Sequence, residues 1–272
     1  MPELPEVETL VRGLTPRLTE RRINGITVLW PPTVYKQTSV YRDLLSGTAI
    51  RRVFRRGKYI CLVLDSGWTL SIHLRMTGKL LFQLSPELMP FLRVSLQLAE
   101  QTVYFVDVRK FGRMKLWPPG AQLLPDLGPD ALDTPAVRKA LKQTSSSRAI
   151  KCLLLDQHVI AGIGNIYADE SLFAARISPI TPAFSLSSHQ AARLARAIHA
   201  VLQAAIAHSG TSLKDYRTAD GDSGRFQHRL QVYGRAGKPC YACGTPIERV
   251  RLQQRSCHFC PSCQRGRSRN SR

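Results

Sequence analysis

Five of the seven cysteines fall within residues 240–263. Cys240-Tyr-Ala-Cys243 and Cys260-Pro-Ser-Cys263 form two thiol pairs with sixteen residues between them, the spacing with which tight turns offer tetrahedral ligands to Zn²⁺. Four sulfur ligands leave no open position, so the expected metal holds structure and performs no catalysis. The register has a rival, because Cys257-His-Phe-Cys260 is also a C-x-x-C. Gly-Thr-Pro-Ile after Cys243 and Pro-Ser-Cys in the second pair have knuckle-turn composition, which favours Cys263 over Cys257. His258 is a weaker candidate ligand. Cys61 and Cys152 sit alone in apolar runs and read as small core residues. An odd cysteine count without a secretion signal argues for metal rather than a disulfide framework.

The other end of the chain offers a nucleophile. Removal of Met1 would make Pro2 a secondary amine with an intrinsic pKa of about 8, lower than any lysine, and so partly neutral at working pH. A helix beginning at Pro5 would lower that pKa further through its positive end, and Glu3 stands ready to move protons. Ordinary capping chemistry would use the same residues. Arg255, between the two cysteine pairs, could take a phosphate bidentately, whereas an isolated arginine in a basic segment is usually solvated.

These groups need elements to hold them. Residues 5–18 predict a helix with Val7, Leu10, Val11 and Leu14 on one face. To about residue 117, Val/Ile/Leu/aromatic runs alternate with turn residues: ITVLW, KYICLVL and TLSIHL around Asp65-Ser66-Gly67, RVSLQLA and TVYFVDV. The expected fold class is α+β multidomain, beginning with an N-terminal antiparallel β-sandwich behind a leading helix. A Pro/Gly-rich connector follows, and then the period becomes helical: 134–143 (N-cap Thr134, Pro135 first), 149–157, 165–177 and Ser188 to His208. The expected boundaries are 1–118, a linker 119–133, a helical domain 134–234, a zinc module 235–264 and a basic tail 265–272.

Charge narrows the partner. With 39 Lys+Arg against 19 Asp+Glu the chain carries +20. Residues 231–272 hold nine Lys/Arg against Glu248 alone. A folded protein so basic expects a polyanion, most often nucleic acid, bound through counterion release. No segment reaches the roughly 20 apolar residues of a membrane span, and Glu3, Glu6 and Glu8 do not suit a secretion signal. A soluble, cytoplasmic, nucleoid-associated protein is expected, as a monomer with no membrane partner.

In order along the chain, MPELPEVETL, RRGKY (55–59), HLRMTG (73–78), DVRKFGRM (107–114), LLDQ and AGIGNIYADE (154–170), TSLKDYRTADGDSGRF (211–226), LQVYGR and CPSCQ resemble the formamidopyrimidine-DNA glycosylases. The resemblance implies a DNA repair enzyme, both glycosylase and AP lyase, acting on duplexes with an oxidised purine such as 8-oxoguanine or an abasic site, with one structural zinc. Pro2 would attack C1′ and form an iminium, Glu3 would serve as acid/base, and Lys58 would assist base loss and β,δ-elimination. Glu6 would support the site. Met76, Arg109 and Phe111 would fill the hole left by the flipped nucleotide. Lys151, Asn165 and Arg255 would contact phosphates from a helix–two-turns–helix domain and its four-cysteine zinc finger. The loop 211–226 would close over the everted base, reading it with backbone amides around Arg217, Thr218 and Gly221.

Two positions depart from the family pattern. Arg75 stands where a small residue is expected before Met76, and the segment 90–96 lacks an expected phosphate-binding histidine, for which Arg93 could substitute. Two rival readings remain: the endonuclease VIII branch acting on oxidised pyrimidines, and a non-catalytic DNA-damage-binding protein. PELPE and the Arg109/Phe111 pair favour the purine branch, and an intact Pro2, Glu3 and Lys58 set favours an enzyme.

Overall fold

The computed structural model describes residues 1–212, 216–219 and 221–265. The expected basic tail therefore lies, apart from Arg265, outside the described residues. Two compact units result: residues 1–125 with 208–227, and residues 126–207 with 228 onward. The 211–226 segment groups with the β-rich unit, and the helices and the zinc module group together in the other.

The first unit opens with helix α1 (Leu4–Leu18), where Glu3 and Glu6 form a capping box. Its buried stripe of Val7, Leu10, Val11, Leu14 and Leu18 belongs to the main core. Strands β1 (Ile23–Val28), β2 (Ile50–Arg56), β3 (Tyr59–Leu64), β4 (Thr69–His73), β5 (Lys79–Leu81), β6 (Leu92–Leu98), β7 (Thr102–Val106) and β8 (Arg113–Trp117) form two four-stranded antiparallel sheets. Their orders are β1-β6-β7-β5 and β2-β3-β4-β8, and the core lies between them as in a sandwich. Strand β3 is buried along most of its length, since α1 packs against the sheet that contains it. Helix α2 (Thr38–Leu45) was not legible in the pattern. Its Ser, Thr and Val are weak helix formers, and burial of Tyr41 and Leu45 holds it, with the Tyr41 hydroxyl donating to the Met114 carbonyl at 2.9 Å.

The second unit contains α3 (Thr134–Gln143), α4 (Ile150–Leu154), α5 (Asn165–Ala174) and α6 (Ser188–Ala207). Asp133, not Thr134, caps α3 by accepting the Ala136 N–H at 3.0 Å. Helices α3 and α5 pack on α6, burying the Leu194, Ile198 and Leu202 face. Between α4 and α5, Gln157 braces two successive turns: its oxygen accepts the Gly162 N–H at 2.9 Å and its amide donates to the Ile163 carbonyl at 2.8 Å. A final hairpin, β9 (Glu248–Leu252) and β10 (Arg255–Phe259), turns through Gln253 and Gln254, both at positive φ. No helix among the described residues is long and apolar enough to cross a membrane.

Candidate active site and nucleic-acid interface

In the first unit Met1 is exposed and the residues after it are buried. Pro2 is buried, and Glu3 and Glu6 are 3% and 2% exposed. Glu6 links two segments with one carboxylate: Oε2 accepts the Glu3 N–H at 2.8 Å and Oε1 accepts the Thr211 N–H at 2.7 Å. Tyr216 adds a bond from its hydroxyl to the Glu6 carbonyl at 3.3 Å. Burial, then the Glu6 charge, raises the Tyr216 phenol above its ordinary range, so it stays a donor.

Lys58 occupies the tip of the β2–β3 hairpin, in a two-residue turn whose first position, Gly57, needs its positive φ of 57°. A hairpin-tip lysine normally reaches into water. Lys58 is 5% exposed instead. Its charge acts on His73, a residue to which the sequence reading gave no role. Burial, then the Arg75 and Lys58 charges, pushes the His73 pKa down to about 3. The neutral ring accepts the Arg75 N–H on Nδ1 at 2.9 Å and therefore carries its hydrogen on Nε2. Tyr59 packs edge-on against it at 4.5 Å.

The expected wedge residues come together. Met76 and Phe111 are 39% and 47% exposed. Arg109 spans them, with Nη1 3.6 Å from the Met76 sulfur and its guanidinium 4.9 Å from the centre of the Phe111 ring. Asp107 organises both loops and had no sequence signal, because its partners are mostly backbone amides. Its carboxylate accepts the Thr77 hydroxyl, the Arg109 N–H at 3.2 Å and the Gly112 N–H at 2.7 Å. A side chain at Gly112 would lie 2.3 Å from Phe105, so only glycine fits that approach. Lys110, left-handed at φ 60°, lies 4.0 Å over the Trp30 ring.

Arg93 does not replace the missing histidine. It is 7% exposed and donates to the Asp107 carbonyl at 2.8 Å and the Pro90 carbonyl at 3.2 Å, beneath the loop that carries Arg109. In the 211–226 segment, Lys214, Asp215 and Asp220 are outside the described residues. The Thr218 and Gly221 amides, expected to read a base, donate within the loop itself, to Asp222 at 2.9 Å and Thr218 at 3.0 Å. Arg217 donates to the Tyr216 carbonyl at 2.8 Å and lines a cleft of about 660 Å³ with Arg17, Lys79, Phe82, Ala219 and Gly221.

In the second unit the four Sγ atoms of Cys240, Cys243, Cys260 and Cys263 lie within 4.8 Å of one another. Cys240–Cys263 and Cys243–Cys260 approach to 3.9 and 3.4 Å. A tetrahedron with Zn–S bonds of about 2.3 Å has edges of about 3.8 Å, so the donor set fits structural Zn²⁺. Cys257 stands outside it as a buried thiol pushed up to about 12 by burial and then by the Asp169 charge. That geometry decides the register for Cys263.

Asn165 begins α5 and is partly exposed, and its side-chain oxygen lacks a hydrogen-bond partner among the described residues. Arg255 is exposed at the first position of β10. Lys151 corrects the expectation. It is fully buried, and its ammonium lies 2.6 Å from Asp169 Oδ1 and 2.6 Å from the Ser256 carbonyl. A cation so enclosed does not meet a phosphate. Its long apolar stem and its neighbours Ile150, Cys152 and Leu153 draw it inward.

Comparison with known proteins matches three family models in chain order: the formamidopyrimidine-DNA glycosylase N-terminal domain over 1–114, the formamidopyrimidine-DNA glycosylase H2TH domain over 127–217, and the zinc finger found in FPG and IleRS over 237–266. A formamidopyrimidine-DNA glycosylase of Desulfitobacterium hafniense is 43% identical, covering 97% of this chain and 100% of that protein. The crystal structure of the Thermus thermophilus protein superposes with a TM-score of 0.86 at 42% identity, covering 97% of this chain and 98% of that one. A Lactococcus lactis FPG mutant in complex with Fapy-dG-containing DNA superposes at 0.87 with 35% identity, covering 97% and 100%.

Proposed function

The chain belongs to the formamidopyrimidine-DNA glycosylase family, and on that footing we propose that it is a base-excision repair glycosylase and AP lyase for oxidised purines. Once Met1 is removed, the Pro2 nitrogen attacks C1′ of the damaged nucleotide while the bond to the base breaks. The secondary amine then forms an iminium with the opened sugar, a cation that acidifies the C2′ proton. β-Elimination expels one flanking phosphate and δ-elimination the other. Glu3 moves the protons, Lys58 stabilises the sugar and phosphate, and neutral His73 offers a fixed N–H donor. Glu6 orients the chain start. Met76 and Phe111 enter the stack while Arg109 meets the orphaned base, and Arg217, Thr218 and Gly221 belong to the loop that closes over the everted one. Asn165 and Arg255 hold phosphates, and zinc holds the hairpin that carries Arg255. The partner is duplex DNA, the working form a monomer, and the location the nucleoid.

The observation that carries this reading is the burial of Pro2, Glu3, Glu6 and Lys58 together in one unit, where simple capping and a solvated hairpin tip would leave them in water. Borohydride should trap the protein covalently on an 8-oxoguanine:C duplex, with the sugar mapped to Pro2. The Pro2→Gly protein should trap far less, and undiminished trapping would overturn the assignment. One L. lactis relative was solved with DNA containing an oxidised pyrimidine, which favours a second reading of broader lesion choice. Faster excision of thymine glycol than of 8-oxoguanine would establish it.

A further inference from the structure

We propose that Lys151 and Asp169 are positioning residues for Arg255, acting as a buried ion pair that clamps the outer edge of β10. Strand β10 pairs with β9 along one edge only, with Arg255 opposite Leu252 and Phe259 opposite Glu248. Residues two apart in a strand present their backbone groups to the same side. On the edge away from β9, the Ser256 carbonyl accepts from Lys151 Nζ at 2.6 Å, and the His258 N–H donates to Asp169 Oδ2 at 2.9 Å. Lysine supplies the donor and aspartate the acceptor that a third strand would supply. Lys151 and Asp169 lie 2.6 Å apart with both side chains fully buried.

The clamp extends along α5. Beside Asp169, the Glu170 carboxylate accepts the N–H groups of Gln231, Val232 and Tyr233 at 2.8, 3.0 and 2.8 Å. The Tyr233 ring packs at 5.1 Å on His258, whose Nδ1 is 3.3 Å from Asp169. One helix thus fixes the segment that leads into the zinc module and the strand that begins at Arg255. Ser256, the residue Lys151 grips, is next to that arginine. A buried pair is rigid because separating it strands a charge in a low dielectric, so the guanidinium is aimed from a base that does not yield. Zinc alone sets the knuckles and leaves this edge of the hairpin open.

The inference rests on the reading of Arg255 as a phosphate contact. Its test uses the full zinc-loaded chain and a duplex with a stable abasic-site analogue, measuring Kd across salt concentrations, zinc content and Tm. Arg255→Ala should weaken binding and lower the salt slope by about one. Asp169→Asn keeps Lys151 and its charge but breaks the ion pair; it should weaken binding by about tenfold with one zinc retained. Lys151→Met should weaken binding similarly, and Lys151→Met/Asp169→Asn, which leaves the Ser256 carbonyl without its donor, should stay weak at the wild-type salt slope. If Lys151 itself touched phosphate, Asp169→Asn would bind as well as wild type or better, and the double variant would stay weak with its slope lowered by about one. Either result overturns the clamp. An Arg255→Ala protein with unchanged affinity and slope would instead overturn the reading of Arg255, and the role given to the pair with it.

Discussion

The loops at 74–78 and 107–112 in the first unit and the zinc module of the second each present an exposed guanidinium, Arg109 or Arg255, beside a strand end. Around Arg109 the restraint is local. Asp107, two residues away, gathers the Thr77 hydroxyl and the Arg109 and Gly112 amides, while Arg93 secures the Asp107 carbonyl from below. Around Arg255 it is remote. Asp169 and Glu170 reach segments 89 and 61 residues along the chain, and the Gln264 side chain ties Cys260 to the Ile177 carbonyl. The contrast follows core size. A sandwich interior supplies buried area on which one carboxylate suffices, whereas a module of about thirty residues has almost no core and needs metal and outside anchors.

Chelation breaks the comparison most severely. Structural zinc contributes on the order of 10 kcal/mol or more to folding such modules, so its removal should abolish tight DNA binding while the first unit keeps its structure. Circular dichroism and titration with a fluorescent duplex would check this, and loss of both units together would contradict it. Acid should act on the first unit through His73. Its folded pKa of about 3 lies below the unfolded value of 6.5, so the unfolded chain binds the extra proton. Stability is complete above about pH 6.5 and falls as pH drops toward 3, by up to about 4–5 kcal/mol at 1.36 kcal/mol per unit. Urea midpoints across that range should slope less in His73→Gln. The smallest effect is expected from Asp107→Asn, which sets an amide donor against backbone donors. A loss of about 2–3 kcal/mol and a slower excision rate should follow, with zinc content unchanged. A stability equal to wild type would deny Asp107 its organising role.

Much of this was readable beforehand because the chemistry was local. Two C-x-x-C turns announce themselves, whereas only the family resemblance singled out Met76, Arg109 and Phe111. Turn composition also favoured the right register inside the zinc module, and the four-sulfur cluster leaves Cys257 out of it. What escaped notice was long-range. Asp107, Asp169 and Glu170 bond to backbone amides, which carry no side-chain signature. The resemblance made Lys151 a phosphate contact and Arg93 a possible substitute for one, yet their heads find buried acceptors far along the chain or under a loop. Strand β2 was hidden by its own arginines and by a bulge between Ile50 and Arg52, which puts the buried Ile50 and Val53 three residues apart.

Arg75 adopts φ 55°, a left-handed backbone that costs a side-chain-bearing residue about 1–2 kcal/mol. Its amide would reach the imidazole whatever side chain stood there. What arginine adds is a positive field that, with Lys58, discourages a second proton on that ring. The ring thus keeps one hydrogen, on Nε2, at any pH well above about 3, and the hydrogen bond it can offer does not change with pH there.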